Sequence, residues 1–461
     1  MADSDGRPVL VEISEALHAL DQVNPLRIAG RVAEVTGLVV RATIPGVRVG
    51  ELVTIDVDAL PGVLADQGAP RLQAEVVGFR GDEVVLMPLG PVAGIGPDSV
   101  VSPTGRSLTI RAGEGLLGRV VNGLGEPMDG AGPIAGTTEE WPVDRSAPDP
   151  LLRQRIRQPL ALGVRAIDAL LTVGEGQRIG LFAGSGVGKS LLLGQIARNT
   201  DADVNVICLV GERGREVGEF LEDALGTAGR ARSVVVCATS DVPSLVRLKS
   251  AFVATAIAEW FRTRGKRVLL MMDSLTRFAR AQREVGLAAG EPPARHGFPP
   301  SVFALLPRLL ERTGNSGGGK GGKDGKDGSI TALYTVLVAG GDMDEPIADE
   351  TRGILDGHIV LSRALGERNH WPAIDVLASL SRVMEFVADG EHRQAAARVR
   401  ELLAAYEQKR ELILLGAYKS GTDPRIDKAI AKNEAIAMFL RQGLHEAAPF
   451  DETRKRLLAL P

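Results

Sequence analysis

One stretch constrains the fold of this chain more than any other: residues 178–199 read RIGLFAGSGVGKSLLLGQIARN. An apolar run of the strand type, a glycine-rich turn and an apolar helical pattern follow one another here. In such a unit the N–H groups of the turn and the positive end of the helix point at one place, which suits an anion such as a phosphate group. The stretch therefore predicts an α/β domain that binds phosphates at the carboxyl end of a strand.

The turn follows the pattern G-x-x-x-x-G-K-[ST], except that Ala183 stands where the first glycine is expected. Position 183 closes the predicted strand, where a methyl group is tolerated as long as φ stays negative. Gly184, Gly186 and Gly188 still supply left-handed or close-approach backbone. In this pattern the lysine bridges the β- and γ-phosphates of a nucleotide and the hydroxyl binds Mg²⁺. We therefore expect a working nucleotide site formed by Gly184, Ser185, Gly186, Val187, Gly188, Lys189, Ser190 and Leu191.

The rest of the chain divides into segments of different character. Short β-branched runs separated by Gly and Pro predict a β-barrel domain over residues 25–102. Apolar strands alternate with helical patterns over residues 103–385, which predicts a mostly parallel sheet covered by helices on both faces. Residues 386–461 carry helical periodicity and predict a C-terminal α-helical domain.

Two segments lie outside this scheme. Residues 1–24 are expected to contain a short amphipathic helix that docks on the protein itself or on a partner, because four apolar residues recur at helical spacing: Leu10, Ile13, Leu17 and Leu20. Residues 315–329, NSGGGKGGKDGKDGS, are too rich in glycine to pack. We expect them to form a flexible insertion in the nucleotide domain.

Composition excludes several classes of function. The net charge is −4, from 54 basic and 58 acidic residues, so no overall basic field attracts nucleic acid. No apolar run reaches the roughly 18 residues of a membrane span, and the acidic start MADSDGRPVL has no apolar signal-peptide core. Cys208 and Cys237 lie in apolar strand-like runs and are expected to be buried thiols of a reducing compartment. We therefore expect a cytoplasmic protein that is not inserted in a membrane.

Two acidic residues follow apolar strands at positions that nucleotide hydrolysis requires. The run RVLLMMD ends in Asp273, where an acid that organises Mg²⁺ is expected, and a cap for the following helix is the alternative. Glu212 follows the run VICLVG, where a carboxylate can orient the attacking water, and an ordinary surface glutamate is the alternative. The spacing of these residues alone leaves both alternatives open.

Several longer motifs point to one family. AGSGVGKS, GERGREV, MMDSLTRFARAQRE, DGHIVLSR, WPAIDVLASLSRVM and GAYKSGTDPRIDKAIA together resemble the type III protein-export ATPases, which belong to the larger group of rotary ATP synthase α and β subunits. The resemblance covers about residues 25–445. It implies a β-barrel, a RecA-like nucleotide domain and a C-terminal helical domain, assembled as a homohexameric ring that hydrolyses ATP with Mg²⁺.

The resemblance also implies roles for the residues already singled out. Lys189 and Ser190 match the lysine and the Mg²⁺-binding hydroxyl of the phosphate loop. Asp273 matches the acid that holds Mg²⁺ through water, and Glu212 matches the residue that positions or activates the attacking water.

Three arginines and a tryptophan complete the expected site. Arg213 and Arg277 match arginines near the γ-phosphate. Arg382, in the SRVM motif, matches the arginine finger that reaches into the neighbouring subunit's site. Trp371 stands where the family often has a tyrosine that stacks on adenine, and its larger ring can do the same, with a core or interface aromatic as the alternative.

The C-terminal motifs favour the flagellar branch of this family over the virulence, or injectisome, branch. The implied partners are export-gate membrane proteins, a stator-like regulator, a central stalk-like protein and complexes of export chaperones with cargo, with the ring peripheral to the inner membrane on its cytoplasmic side. Two other functions fit the residues less well. A non-catalytic nucleotide-binding ring subunit usually lacks the carboxylate found at Glu212. An RNA-translocating hexameric helicase needs an aromatic and basic platform, whereas residues 1–150 contain only Phe79 and Trp141 as aromatics.

Overall fold

The computed structural model describes residues 29–57, 71–184, 186–315 and 328–460. The amphipathic helix expected within residues 1–24 and most of the insertion expected at residues 315–329 lie outside the described residues. The chain forms two compact units, Met1–Ser107 and Leu108–Pro461.

The first unit contains a closed six-stranded antiparallel barrel, as the short β-branched runs predict. Its strands are β1 (Gly30–Thr36), β2 (Val39–Thr43), β3 (Leu52–Asp56), β4 (Arg71–Arg80), β5 (Glu83–Pro88) and β6 (Val100–Pro103). They are hydrogen-bonded in the order β1-β2-β5-β4-β3-β6, and β6 pairs with β1 to close the barrel. Aliphatic side chains such as Val40, Val53 and Leu86 fill the interior and are fully buried.

The second unit is built on a nine-stranded sheet that is parallel over most of its width. Its strands, together with the separate antiparallel pair β7 and β9, are β7 (Thr109–Ala112), β8 (Val120–Asn122), β9 (Glu139–Pro142), β10 (Arg178–Ala183), β11 (Val204–Glu212), β12 (Ser233–Thr239), β13 (Arg267–Asp273), β14 (Gly314–Asn315), β15 (Ser329–Leu337), β16 (Gly357–Leu361) and β17 (Ile374–Ser381).

The sheet order brings the ends of the central strands together. The main path is β8-β12-β11-β13-β15-β10-β16-β17, with antiparallel pairing only where β17 meets β16 and where β14 meets β15. Because β11, β13, β15 and β10 are parallel neighbours, their carboxyl ends lie at one edge of the sheet. We call this the carboxyl edge.

Helices cover this sheet and form the C-terminal domain. The α-helices are Arg165–Leu170, Lys189–Asn199, Gly214–Glu219, Gly226–Ala231, Ser244–Arg262, Leu275–Ala288, Pro300–Leu310, Pro346–Ile354, Arg363–Glu367, Met384–Val387, Gly390–Leu414, Pro424–Leu440 and Phe450–Leu458. Residues 219–229, EFLEDALGTAG, have the apolar spacing of one regular helix, but a π-helical turn, Phe220–Leu225, separates the short α-helices Gly214–Glu219 and Gly226–Ala231. Among the helices in the part of the chain that the structure describes, none has the length and hydropathy of a membrane-spanning helix.

Burial explains why the central strands read as uninterrupted apolar runs. In β11 every residue from Val204 to Val210 is buried. Since successive side chains point to opposite faces of a sheet, both faces are covered. Cys208 and Cys237 are buried free thiols, as predicted. The predicted fold class, a β-barrel followed by a mostly parallel α/β domain and a C-terminal helical domain, is confirmed.

Candidate active site

The glycine-rich turn joins the end of β10 to the helix Lys189–Asn199 at the carboxyl edge. Ala183 is the last residue of β10, is fully buried, and pairs with residues of β15 and β16 on either side. Gly186 and Gly188 have φ values of +77° and +80°, a region that favours glycine. The alanine therefore ends the strand, and the turn that follows keeps the glycines that its backbone requires.

Gly188 also allows the loop to lie against an aromatic ring. A Cβ atom at position 188 would lie 2.8 Å from the Trp371 ring, and one at Gly366 would lie 3.1 Å from the same ring. The indole N–H of Trp371 donates a hydrogen bond to Asn369 at 3.1 Å, and the side chain remains partly exposed. The ring is thus fixed beside the phosphate loop with part of its surface open.

The open part of Trp371 lines an apolar cleft of about 350 Å³ beside the loop. Val187 and Leu191 line it from the loop and the following helix, and residues 442–444 line it from the C-terminal domain. A mostly apolar cleft with an aromatic wall, next to a phosphate-binding turn, suits a nucleobase.

Asp273 lies at the same edge of the sheet. The parallel register of β13 and β15 places it next to Thr335, whose hydroxyl donates a hydrogen bond to Asp273 Oδ1 at 2.8 Å. The following helix is capped by Ser274, whose side chain accepts a hydrogen bond from the N–H of Arg277. The structure therefore favours the site position for Asp273 over the helix cap that the sequence left open.

A bulge at the end of β11 brings Glu212 into the site. Gly211 has φ +65°, and the register with β12 shifts between Val210 and Glu212. Glu212 is 7% exposed, so the alternative of an ordinary surface glutamate does not hold.

Lys189 lies between the two carboxylates. Its ammonium group pairs with Asp273 and lies 3.7 Å from Glu212 Oε1. Arg277 Nη1 lies 2.8 Å from Glu212 Oε2 and also donates a hydrogen bond to the carbonyl oxygen of Gly211. Two cations and two anions from four separate segments thus meet beside the loop, and the sequence predicted all four as site residues.

The environment of Glu212 makes it more basic than a free glutamate. Burial raises its pKa to about 7, and a hydrogen bond with Glu216 and the nearby charge of Asp273 act in the same direction. Lys189 and Arg277 oppose this rise. The same hydrogen bond lowers the pKa of Glu216. A carboxylate with a raised pKa suits proton transfer from water near neutral pH.

The residues present fit a Mg²⁺ ion that is held together with a nucleotide. Within the described residues no group of three or more His, Cys, Asp or Glu side chains could hold a metal ion by itself. Mg²⁺ is commonly bound by one or two protein oxygens together with substrate phosphates and water. Ser190 is exposed and its hydroxyl makes no hydrogen bond to the described residues, and Asp273 supplies a carboxylate nearby at the same edge.

Arg213 is not brought into this cluster. Its side chain is 80% exposed and pairs with Glu216 at 3.2 Å. It immediately precedes the helix Gly214–Glu219, and its side chain points to solvent.

Arg382 lies at the amino ends of the parallel strands, opposite the carboxyl edge that holds its own phosphate loop. It follows β17, which is antiparallel to β16. Leu361 of β16 pairs with Ile374 near the loop, and Gly357 pairs with Ser381 at the other end of the two strands. The Arg382 N–H donates to the carbonyl oxygen of Asp356. The side chain is exposed and makes no hydrogen bond or ion pair with the described residues. The length of β10, roughly 17 Å at ~3.3 Å per residue, separates it from the turn.

Sequence reasoning missed two parts of the site. Thr335 was detectable, because it is a polar residue inside the apolar run YTVLV next to a strand that ends in an acid. Residues 442–444 carried no such signal, because they approach the cleft only through the packing of the C-terminal domain.

Comparison with known proteins agrees with this architecture. The model of the ATP synthase alpha/beta family nucleotide-binding domain matches residues 163–381, that of the family's beta-barrel domain matches residues 32–105, and that of the T3SS EscN ATPase C-terminal domain matches residues 388–459. The chain belongs to the ATP synthase alpha/beta family. The family resemblance predicted from the motifs is thereby confirmed.

Relatives from two export systems are similar to this family member over nearly its whole length. It is 50% identical to the flagellum-specific ATP synthase of Bacillus subtilis (strain 168), over 96% of this chain and 98% of the relative. It is 52% identical to the type 3 secretion system ATPase of Xanthomonas euvesicatoria, over 94% and 93% of the two chains. The structure of the assembled ATPase EscN from the enteropathogenic E. coli type III secretion system is similar with a TM-score of 0.85 and 47% identity, over 94% of this chain and 99% of that chain.

Proposed function

We propose that this chain is a Mg²⁺-dependent ATPase that acts as a homohexameric ring in type III protein export for flagellum assembly. The observation that carries the proposal is the cluster of Lys189, Glu212 and Asp273 beside a glycine-rich turn at the carboxyl edge. A nucleotide-binding subunit without turnover would have no need of Glu212, a buried carboxylate held by Arg277.

Each residue of the cluster has a distinct task in this proposal. The N–H groups of the turn and Lys189 hold the phosphates, and Ser190 and Asp273 would hold Mg²⁺, which when bound neutralises charge on the phosphate oxygens. Glu212 orients a water molecule and accepts its proton as the water oxygen attacks the γ-phosphorus. The bond from the γ-phosphorus to the bridging oxygen breaks, which gives ADP and inorganic phosphate. The cleft at Trp371 holds the adenine by stacking.

The position of Arg382 favours a ring. Because Arg382 and the phosphate loop lie at opposite ends of the strands of one sheet, Arg382 can stabilise a transferred phosphoryl group only in a neighbouring copy. An arginine supplied in this way is worth roughly 10³–10⁵ in rate. Turnover per subunit is therefore expected to rise steeply with protein concentration.

The flagellar assignment rests on the C-terminal motifs, since relatives named for both systems have almost the same identity to this chain. Within the proposal the ring lies in the cytoplasm, peripheral to the inner membrane, with an export gate, a stator-like regulator, a central stalk-like protein and chaperone–cargo complexes as partners. One similar solved structure contains a partner: it shows the assembled ATPase EscN in complex with its central stalk EscO. Deletion of the gene should abolish flagellar filaments. Intact filaments with loss of secreted virulence proteins would favour the injectisome branch instead.

The test of the mechanism is the Glu212→Gln variant. The amide keeps the size of the side chain but cannot accept the water proton, so turnover should fall at least about a hundredfold while MgATP still binds. Phosphate release and calorimetric titration with MgATP measure the two properties. Glu219→Gln is the matched control, because Glu219 is half exposed and pairs with Arg215. Full turnover by Glu212→Gln would show that the mechanism is wrong.

A further inference from the structure

The cleft that faces Trp371 is bordered by residues 441–446 of the C-terminal domain, here called the wall loop. Gln442, Gly443 and Leu444 line the cleft. The N–H of Gln442 donates to the carbonyl oxygen of Trp371 at 2.8 Å, so the wall loop is attached to the backbone of the aromatic residue itself. The position of this loop therefore sets the shape of the cleft beside the ring.

Several polar groups of the wall loop are already paired within the protein. The Gly443 N–H donates to Glu446 Oε2 at 2.9 Å, and the Gly443 carbonyl oxygen accepts from Gln195 Nε2 at 3.2 Å. The Leu444 carbonyl oxygen accepts from Arg198 Nη2 at 2.7 Å. Gln195 and Arg198 belong to the helix that begins at the phosphate loop. Because these groups are already paired, a base in the cleft is held by stacking on the ring and by shape complementarity rather than by hydrogen bonds from these groups.

One buried arginine ties the wall loop to the nucleotide domain. Arg165 is 4% exposed and reaches four groups of the C-terminal domain. Its backbone N–H donates to Gln442 Oε1, and its side-chain Nε donates to the Phe439 carbonyl oxygen, both at 2.8 Å. Its two terminal nitrogens bond the Arg441 carbonyl oxygen and the Glu446 carboxylate.

The contacts of Arg165 continue directly into the loop. Glu446 uses its second carboxylate oxygen for the Gly443 N–H, and Gln442 Nε2 donates to the carbonyl oxygens of Gly163 and Glu446 at 2.9 Å each. Arg165 does not line the cleft itself. The influence of its side chain on a bound base therefore passes through Glu446 and through the Arg441 carbonyl oxygen, which belongs to the peptide bond that leads into Gln442.

We propose that Arg165 is a positioning residue for the nucleobase: it fixes the wall loop against Trp371 and so determines how tightly the base of the nucleotide is held. This inference rests on the proposed function, since it names a determinant of the same nucleotide site. The guanidinium fork is essential to it, because lysine could still pair with Glu446 but could not also donate to the two backbone carbonyl oxygens.

The test compares two probes on the full-length protein, MgATP and magnesium tripolyphosphate, which lacks a base. In the Arg165→Lys variant the Kd for MgATP should rise about tenfold, as expected when a preorganised wall is loosened, and the Kd for tripolyphosphate should stay unchanged. The KM for ATP should rise in parallel, with kcat at saturating ATP within about twofold of the wild-type value. Glu446→Gln should weaken MgATP binding in the same way, and the double variant should be less than additive.

Arg119→Lys is the matched control. Arg119 forms a similar but only partly buried fork, with Nε and Nη2 each 2.8 Å from Asp129 and a further bond to the Gly132 carbonyl oxygen. It lies next to β8, which is the outermost strand on the side of the sheet remote from β16 and β17. Its substitution should leave both dissociation constants unchanged.

The possible outcomes are distinct. If the wild-type protein binds neither probe, the proposed nucleotide function is wrong. If the wild type binds both probes and Arg165→Lys binds both as well as the wild type does, or loses affinity for both equally, the positioning role of Arg165 is wrong while the nucleotide site stands.

Discussion

Gly188 carries two constraints at once, one on its backbone and one on its surroundings. Its φ is +80°, and a Cβ atom there would lie 2.8 Å from the Trp371 ring. Gly188→Ala should therefore weaken MgATP binding at least tenfold, because the positive φ costs an alanine about 1–2 kcal/mol and the ring must move. Calorimetric titration of the purified variant with MgATP measures this loss.

Gly390→Ala is the control for that substitution. Gly390 begins the helix Gly390–Leu414, its φ is not positive, and no atom lies within 4 Å of the position of an added Cβ. MgATP affinity should be unchanged in this variant. Wild-type affinity in Gly188→Ala would mean that the loop and the ring do not have to be in contact for a nucleotide to bind.

Single residues were predictable from the sequence where local chemistry determines them. Ala183 could be assigned to the end of a strand because a methyl group needs only a negative φ there. Asp273 could not be separated from a helix cap, because Ser274, the residue that actually caps the helix, is its direct neighbour. The outward direction of the Arg213 side chain depends on its pairing with Glu216, which no motif specifies.

At the scale of secondary structure elements, a buried ion pair joins segments far apart in the chain. Arg312 and Glu259 are 1% and 3% exposed and form two hydrogen bonds of 2.9 and 2.8 Å, and Arg312 also donates to the Val143 carbonyl oxygen. Glu259→Gln should lower the free energy of unfolding by about 3 kcal/mol, because it leaves a buried guanidinium without its counter-charge. Denaturant unfolding followed by circular dichroism measures the change.

The exposed pair of Arg308 and Asp144 provides the comparison. These side chains are 64% and 68% exposed and lie 3.5 Å apart. Asp144→Asn should change the free energy of unfolding by no more than about 0.5 kcal/mol, because solvent screens such a pair. Equal effects of the two substitutions would contradict the importance of burial for the Arg312–Glu259 pair.

Most helices and strands could be predicted because buried faces require apolar residues at regular positions in the sequence. Strands covered on both faces read as apolar runs, and the run from Val204 to Val210 is an example. The π-helical turn Phe220–Leu225 was not predictable, because its apolar spacing is that of a regular helix. The wall loop at residues 441–446 was not predictable either, since its place at the cleft follows from tertiary contacts with Arg165.

At the scale of the whole molecule, the sheet separates two groups of residues that belong to the proposed catalytic site. Lys189, Glu212 and Asp273 meet at the carboxyl edge, and Arg382 projects from the opposite edge. In the proposed ring, one chain would supply half of each of two sites, which matches the rotational symmetry of a closed ring. The family motif predicted the arginine, but only the antiparallel pairing of β17 with β16 shows why it cannot serve its own loop.

The most direct test of this account mixes two inactive variants. Arg382→Ala keeps the phosphate loop and its carboxylates, whereas Glu212→Gln keeps the arginine. Each alone should lack turnover, and random co-assembly in equal amounts should restore roughly a quarter of the intersubunit sites, measured as phosphate release. Absence of any recovery in rings that native mass spectrometry shows to be mixed, or full turnover by Arg382→Ala alone, would contradict an arginine supplied by the neighbouring copy.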